Sequence, residues 1–334
     1  MKYSDSGVDI DRASSALKGA GSSIRNTWNQ RVLSGVGAFG GLYDLQGLEE
    51  NVLVSSVDGV GTKLKLAFQT GRHDTVGQCL VNHCVNDILV QGARPLFFLD
   101  YFATGQLEEG VLEAVIGGMA KACEENSCAL IAGETAEMPG FYPAGEYDLA
   151  GCIVGAVARE SLVDGSRIRP GDLLLGMSST GLHTNGYSLA RKVLLDEGGL
   201  SPDDSHDEGS LADALLAIHR SYLPHFQILR DYCEVRGMVH LTGGGFVDNI
   251  PRILPEGLSV RIHRDRWEIP SIFRRIAECG NVSDEEMHRV FNMGVGFLFV
   301  LSPEDSERVL DLDIPDSLGV LGEVMEGSGE VHLD

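Results

Sequence analysis

The sequence has few lysines, no CxxC pair and no long apolar run, and each absence excludes a class of protein. No segment approaches the roughly 18 consecutive apolar residues of a membrane-spanning helix. The first residues, MKYSDSGVDIDR, lack the apolar stretch of a secretory signal, so we expect a cytoplasmic protein. The seven cysteines never form a CxxC pair, which disfavours zinc fingers and thioredoxin chemistry and favours reduced, mostly buried thiols.

Positive charge is also scarce. The 26 Lys and Arg residues stand against 49 Asp and Glu residues, which gives a net charge of −23. Electrostatic repulsion therefore disfavours nucleic acid and anionic membranes as partners, and a phosphorylated small molecule would need a local cation or metal site. Only six of the basic residues are Lys, and we interpret the acid excess as a solubility adaptation, with a high-salt cytoplasm as a hypothesis.

The length of 334 residues, 43% of them apolar, is enough for two domains of roughly 150 residues each. In the first half, predicted strands alternate with predicted helices. The strands are 51–57, 95–102, 128–132 and 147–157, and the helices are 63–70, 75–91 and 106–125. This alternation predicts an α/β or α+β layered fold. The polar segment DGSRIRPGD (164–172) predicts a boundary between domains 1–165 and 166–334.

The second half continues the pattern with more loops. The predicted strands are 173–177, 238–241, 258–262 and 295–301. The predicted helices are 187–195, a long helix from the acidic loop 201–208 to about residue 232, and 246–253. Ser302 is the predicted N-cap of a further helix.

The segment SSVDGVGTK (55–63) follows the first predicted strand. Asp58 could offer a carboxylate to a cation, while Gly59 and Gly61 allow a tight turn that exposes backbone N–H groups. Thr62 and Lys63 then open a helix whose N-terminus suits a phosphate. The spacing is not that of a P-loop, and an ordinary strand–turn–helix is the alternative.

Two further acids are candidates for the same site. Asp87 lies on the polar side of the helix VNHCVND, and Glu134 follows the buried run ALIA at the expected end of a strand. Together with Asp58 they could hold Mg²⁺, which takes a few carboxylates and leaves room for substrate phosphates. A hydrogen-bonded structural Asp and a surface Glu are the alternatives.

Three glycine-containing loops are further candidates for ligand-binding sites. GVGAFG (35–40) matches GxGxxG, but a polar segment precedes it and no helix fits after it, so we expect a flexible loop or a flap over a ligand. SSTGLHTNG (178–186) carries His183, which could act as acid or base or donate to an anion, or be only a surface or capping residue. TGGG (242–245) precedes a helix and suits close approach to a phosphate.

Taken together, these motifs resemble the AIR synthetases (phosphoribosylformylglycinamidine cyclo-ligases), within a superfamily of ATP-dependent enzymes. The matching stretches are 3–11, 55–67, 84–105, 133–142, 179–192, 240–255 and 291–297. The resemblance implies a homodimer whose N-terminal domains join their sheets, and a C-terminal mixed sheet covered by helices. It also implies ATP-driven closure of formylglycinamidine ribonucleotide to 5-aminoimidazole ribonucleotide in purine biosynthesis, with release of ADP and phosphate.

The resemblance further implies roles for residues of the first half. Asp58, Asp87 and Glu134 would be the acidic ligands of Mg²⁺–ATP, and Lys63 would face the polyphosphate. The remaining residues of the implied ATP site are Gly59, Gly61 and Thr62, together with Gly37 and Gly40 of the mobile N-terminal loop. Relatives often carry Lys before that loop, where this chain has Arg25, so the role of that residue stays open.

In the second half, His183 would assist at the formamide oxygen of the substrate, and Asn185 would contact the substrate. The ribose phosphate would be held by Thr242, Gly243, Gly244 and Gly245. Because the attacking nitrogen belongs to the substrate, the protein would mainly position groups and stabilise charge.

Two kinds of rival function stay open. The first is another ATP-dependent enzyme of the superfamily, such as a selenophosphate synthetase or a thiamine-monophosphate kinase. Selenophosphate synthetases carry a reactive Cys or selenocysteine near the N-terminus, and residues 1–40 contain no Cys. The second is a non-catalytic nucleotide-binding scaffold, which the full set of acids, Lys63 and His183 disfavours.

Overall fold

The computed structural model describes residues 19, 21–32, 43, 47, 51–312 and 314–334. Its contacts divide the chain into two compact units. The first unit consists of the described residues up to Ile88 together with Ala93–Arg159. The second unit consists of Leu89–Gly92 and Glu160–Asp334. Within the described residues, no helix is long and apolar enough to cross a membrane.

The first unit is built on a four-stranded mixed sheet. Its strands are β1 (Asn51–Gly59), β2 (Arg94–Thr104), β3 (Ala129–Glu137) and β4 (Tyr147–Ala158). Its helices are α1 (Leu64–Thr70), α2 (Asp74–Leu89) and α3 (Glu109–Glu125). The strand order is β1-β4-β2-β3, with β2 and β3 parallel and the other pairs antiparallel. The predicted α/β layering of the first half is therefore confirmed.

Glycines in β4 let helix α2 approach the sheet closely. A Cβ atom at Gly151 would lie 3.1 Å from Leu80 Cγ of α2, and one at Gly155 would lie 2.4 Å from Ile88 Cδ1. Leu80 and Ile88 are fully buried in these positions. The apolar side of α2 therefore packs on β4, and the rest of the helix lies toward the neighbouring strand β1.

The opposite face of this sheet is apolar and partly exposed. Val57 and Leu53 on edge strand β1 are 68% and 53% exposed, and Tyr101 on β2 is also exposed. The strand register places Val57 and Leu99 opposite Cys152 of β4, so these side chains share one face. Exposed apolar faces of this kind, next to an edge strand, usually mark an interaction surface.

The second unit contains a six-stranded mixed sheet. Its strands are β5 (Leu173–Ser178), β8 (Gly237–His240), β9 (Leu258–Ile262), β10 (Val295–Leu301), β11 (Ser317–Glu326) and β12 (Val331–Leu333), and a separate small hairpin pairs β6 (Ser205–His206) with β7 (Gly209–Ser210). The sheet order is β12-β9-β11-β5-β10-β8, in which the β12–β9 pair is parallel. All seven residues of β10 are buried, so both faces of the sheet are covered at that strand.

Seven short helices lie in the second unit. They are α4 (Tyr187–Arg191), α5 (Leu211–Leu215), α6 (Leu223–Leu229), α7 (Gly245–Asn249), α8 (Ser271–Gly280), α9 (Asp284–Val290) and α10 (Pro303–Leu310) among the described residues. Ser302 Oγ accepts a hydrogen bond from the backbone N–H of Asp305, so the predicted cap is confirmed.

Several sequence predictions were wrong in detail. The long helix expected up to residue 232 is two short helices, α5 and α6, separated by residues 216–222. Polar side chains of that segment instead form hydrogen bonds with distant parts of the chain, His219 with His240 and Arg220 with Ser178. Strand β3 continues to Glu137 instead of ending at residue 132, because β2 pairs with it as far as Thr104. Helices α8 and α9 and strands β11 and β12 were missed; bulges in β11 interrupt the alternation that predicts a strand.

Adjacent glycines on α3 provide a test of the packing between α2 and α3. A Cβ atom at Gly118 would lie 2.2 Å from the carbonyl oxygen of Asp74, whereas one at Gly117 has nothing within 4 Å. We expect Gly118→Ala to lower the free energy of unfolding by about 1–3 kcal/mol through overpacking. Gly117→Ala should instead raise it by about 0.5–1 kcal/mol, because alanine restricts the unfolded chain. Urea unfolding followed by circular dichroism measures both; equal effects would contradict the close helix contact.

Candidate active site

Two of the acids predicted to bind a metal, Asp58 and Asp87, come together in the first unit beside a histidine. Asp58 lies near the end of β1, while His83 and Asp87 lie one turn apart on α2. His83 Nε2 is 2.6 Å from Asp58 Oδ2 and 3.8 Å from Asp87 Oδ2. The hydroxyl of Ser56 donates to Asp87 Oδ2 at 2.8 Å. The two carboxylates therefore face one small region between β1 and α2.

The polar side of α2 is largely buried. Asn82, His83 and Asn86 are each at most 5% exposed, whereas the carboxylate of Asp87 is partly accessible. The side chain of Asn126 donates to Asn82 Oδ1 at 2.8 Å, so this polar layer is hydrogen-bonded. Buried polar groups need hydrogen-bond partners, so this side of α2 is not an ordinary solvated helix surface.

The electrostatics of His83 and Asp58 depend on each other. Burial alone would lower the pKa of His83, but its hydrogen bond to Asp58 and the charges of Asp87 and Asp58 outweigh burial, so the pKa is raised. Burial alone would raise the pKa of Asp58, but the hydrogen bond and positive charge of His83 outweigh it, so that pKa is lowered. Both shifts favour an imidazolium–carboxylate pair.

The donor atoms of this cluster fit a hard divalent cation. One ligand atom from each of Asp58, His83 and Asp87 lies within 4.8 Å of the others. Mg²⁺ prefers oxygen ligands and keeps several waters, which two carboxylates would allow. Asp58 and Asp87 could therefore hold such a cation, while His83 contacts Asp58; their roles as Mg²⁺ ligands stay predictions. The helical spacing places His83 on the polar side of this helix but assigns it no role.

The third predicted metal ligand, Glu134, does not join this group of described residues. It lies within β3, opposite Tyr101 of β2, and is exposed. The expectation that it follows the end of a strand was wrong, because β3 continues for three residues beyond it. Its role as a metal ligand stays a prediction.

Asp100 is a further candidate acid of the first unit that the sequence motifs do not single out. It lies in β2 opposite Gly133, where a Cβ atom would be only 2.2 Å from Asp100 Oδ1. Burial, with a smaller contribution from the charge of Glu134, raises the pKa of Asp100 to about 7. An acid inside the apolar run LFFLDYF was the available signal.

The turn after β1 has the geometry that its glycines suggested, but it does not expose its lysine. Gly61 has a φ of +54°, and a Cβ atom at Gly59 would lie 3.0 Å from the carbonyl oxygen of Leu149. Thr62 is exposed, whereas Lys63 is fully buried and its Nζ donates to Cys79 Sγ at 3.2 Å. The proposed contact between Lys63 and a polyphosphate stays a prediction.

His183 is buried and its backbone is strained. Its φ of +59° falls in the left-handed region, which costs about 1–2 kcal/mol for a residue with a side chain. The backbone N–H of Thr180 donates to His183 Nε2 at 3.2 Å. A neutral ring that accepts at Nε2 carries its hydrogen on Nδ1, so the ring can donate from Nδ1 to an oxygen that gains negative charge. Strained residues of this kind concentrate at functional sites.

The two glycine-containing loops of the second unit adjoin each other. A Cβ atom at Gly243 would lie 3.2 Å from Asn185 Oδ1. Gly244 and Gly245 have φ values of +96° and +56°, which favour glycine at both positions. The side chain of Asn249 donates to the carbonyl oxygens of Gly245 at 2.7 Å and Gly243 at 3.3 Å, and the hydroxyl of Thr242 donates to Asn249 Oδ1. The structure therefore brings together the predicted substrate-binding residues.

Two predictions concern the N-terminal region. Gly37 and Gly40, predicted to belong to a loop over ATP, lie outside the described residues. Arg25 is described and exposed, in a helical segment that precedes Trp28. The indole of Trp28 donates to the carbonyl oxygen of Leu130 at 2.8 Å, so this segment is attached to β3.

Paired carboxylates in one α/β unit and glycine-rich loops in the other suit an enzyme that acts on phosphorylated substrates. Comparison with known proteins identifies its family. Residues 40–157 match the family model for the N-terminal domain of AIR synthase related proteins, and residues 169–334 match the model for the C-terminal domain. The chain belongs to this family.

One full-length relative is the phosphoribosylformylglycinamidine cyclo-ligase of Caldanaerobacter subterraneus subsp. tengcongensis, which is 48% identical over 100% of both chains. Among solved structures, thiamine-monophosphate kinase from Stenotrophomonas maltophilia K279a has a TM-score of 0.69 at 18% identity, covering 95% of this chain and 96% of that one. The hydrogenase maturation protein HypE in complex with ATP has a TM-score of 0.64 at 20% identity, covering 93% and 88%. These structures share the fold.

The pairing of His83 with Asp58 can be tested by titration. We expect Asp58→Asn to lower the pKa of His83, because the variant removes the charge that favours the imidazolium and leaves burial, which opposes it. The ring would then lose its proton at a lower pH than in the wild type. Histidine ring signals followed by NMR across pH report this change. Glu124→Gln, an exposed acid on α3, is the control; an unchanged His83 titration in Asp58→Asn would contradict the pairing.

Proposed function

We propose that this chain catalyses the reaction of a phosphoribosylformylglycinamidine cyclo-ligase. It would use ATP to close formylglycinamidine ribonucleotide to 5-aminoimidazole ribonucleotide, releasing ADP and phosphate. The observation that carries the proposal is the 48% identity to a relative of that name over the full length of both chains. A cytoplasmic location, expected from the sequence, is part of the proposal.

The reaction that the family resemblance implies has two steps. The γ-phosphoryl group of ATP passes to the formamide oxygen of the substrate, which makes that oxygen part of a good leaving group. The amidine nitrogen of the same molecule then attacks the formyl carbon, the carbon–oxygen bond breaks, and phosphate leaves. The protein supplies no nucleophile, so its work is to position groups and stabilise charge.

The residues of the two units suit different parts of this reaction. Asp58 and Asp87 would hold Mg²⁺, which when bound neutralises charge on the polyphosphate of ATP. Their proximity supports this role. The Nδ1–H group of His183 would donate to the formamide oxygen as its charge changes. The loop Thr242–Gly245, beside Asn185, would hold the ribose phosphate, and the fit of its glycine conformations supports that role.

The decisive assay follows ADP release and aminoimidazole formation from purified protein, ATP, Mg²⁺ and formylglycinamidine ribonucleotide. We expect Asp87→Asn to lower turnover by about 10- to 100-fold, since it removes a metal-binding charge with little change in volume. Glu124→Gln should keep wild-type turnover. Thiamine monophosphate and selenide replace the substrate in parallel reactions. Turnover of thiamine monophosphate or selenide instead of formylglycinamidine ribonucleotide would overturn the proposed reaction. Full activity of Asp87→Asn would overturn the proposed role of Asp87 in binding the metal.

We also propose that the first unit forms a homodimer through the apolar face of its sheet. The exposed side chains of Val57, Leu53 and Tyr101 support this, because a second copy would cover them. Strand β1 lies at the edge of the sheet, where a copy could also continue the hydrogen-bonded ladder.

Val57→Asp tests the dimer surface. We expect the dissociation constant of the dimer to rise by at least about 30-fold, equivalent to about 2 kcal/mol, because the variant would bury a carboxylate at the interface. Sedimentation velocity over a range of protein concentrations measures the change. Leu310→Asp, at an exposed leucine on α10 in the second unit, should leave the dimer intact. A monomeric wild type, or equal effects of both variants, would exclude this surface.

A further inference from the structure

A group of buried histidines lies against His183 in the second unit. The rings of His183 and His219 are stacked, with centroids 4.0 Å apart and planes 19° apart. His219 Nε2 is 3.0 Å from His240 Nε2, and all three side chains are at most 5% exposed. No sequence motif assigns a role to His219 or His240.

Both ring nitrogens of His219 lie at hydrogen-bond distance from a partner. Its Nε2 and the Nε2 of His240 lie at hydrogen-bond distance, so one of the two nitrogens carries the hydrogen and the other accepts it. The second ring nitrogen of His219, Nδ1, is 3.2 Å from the hydroxyl of Thr184. Both nitrogens of His219 are therefore bonded, and its ring plane is fixed from two sides.

These bonds join the two loops of the candidate substrate site. His240 is the last residue of β8, two positions before the glycine-rich loop that begins at Thr242. Thr184 follows His183 in the other loop. His219 comes from residues 216–222, the segment that interrupts the helix expected there. The break in the helix thus places an imidazole between the two loops.

The ring of His183 needs such support. Its left-handed backbone is unfavourable for a residue with a Cβ atom, so tertiary contacts must hold it. Space for the ring depends on Gly296, where a Cβ atom would lie 2.6 Å from His183 Cε1 and 1.9 Å from Tyr222 Oη. A stacked, hydrogen-bonded neighbour restricts the remaining freedom, which is rotation of the ring.

We infer that His219 is a positioning residue for His183: its ring holds the His183 ring in the plane in which Nε2 accepts from Thr180, while His240 and Thr184 hold His219. This inference rests on the proposed role of His183 in the cyclisation. Rotation of the His183 ring would break the Thr180 hydrogen bond and redirect the Nδ1–H group away from the reacting oxygen.

Two substitutions separate stacking from hydrogen bonding. His219→Gln keeps a polar group that reaches His240 but removes the ring, so we expect kcat to fall by about 10- to 100-fold while the KM for ATP changes little. His219→Phe keeps a flat ring against His183 and should retain most of kcat, although it loses thermal stability because buried partners are left unbonded. His225→Gln, at another buried histidine that contacts Asp316, should leave kcat unchanged.

A double-mutant cycle shows whether His219 acts through His183. In a His183→Asn background, which keeps a side chain that tolerates the left-handed backbone, His219→Gln should cause no further loss of kcat. An equal loss in both backgrounds would overturn the inference. So would a kcat for His219→Gln within twofold of the wild type.

A spectroscopic measurement tests the positioning without any turnover. Long-range ¹H–¹⁵N NMR spectra of histidine rings should show a single Nδ1–H form for neutral His183 in the wild type and in His219→Phe, and a mixture of forms in His219→Gln. An unchanged His183 signal in His219→Gln would overturn the inference even in an active enzyme. If the protein does not turn over formylglycinamidine ribonucleotide, the proposed function fails, and the NMR result still decides the positioning role.

Discussion

The close packing of helix α2 on β4 is the constraint on which the acidic cluster depends. Leu80 and Ile88 reach the sheet because Gly151 and Gly155 present no side chains there. With its apolar side fixed on β4, the helix directs His83 and Asp87 toward β1, where Asp58 lies. Larger residues in β4 would lift the helix, and the carboxylates would separate before any ligand was involved.

This arrangement also addresses the problem of charge. A chain with a net charge of −23 repels a nucleotide unless cations are placed locally. The negative charges of Asp58 and Asp87 repel each other. The positive charge of His83, which its raised pKa favours, and the hydrogen bond from the Ser56 hydroxyl to Asp87 offset this repulsion. A divalent cation held by Asp58 and Asp87 would neutralise the two carboxylates, and it would compete with the imidazolium for their oxygens.

Much of the fold followed from sequence because it depends on local patterns. Strands β1 and β4 and helices α2 and α3 were predicted within a few residues, since each is a long segment rich in apolar residues. Asp58 and Asp87 were found for the same reason, as acids at the ends or polar sides of clear elements. Their partner His83 and the half-buried Asp100 were not assigned roles, because only the tertiary contacts distinguish a functional polar residue from a structural one. The burial of Lys63 likewise depends on packing around Cys79 that no spacing reveals.

The remaining failures of prediction coincide with the second half of the candidate site. The sequence of residues 211–232 suggests one helix, yet the helix is interrupted at residues 216–222. This interruption places His219 between His183 and His240. His183 itself takes a left-handed backbone conformation, which is uncommon for residues other than glycine. A sequence satisfies local preferences wherever packing alone is at stake, so departures that converge on one side chain indicate that its position is maintained against a cost in stability. That convergence supports a functional role for His183 independently of the family resemblance.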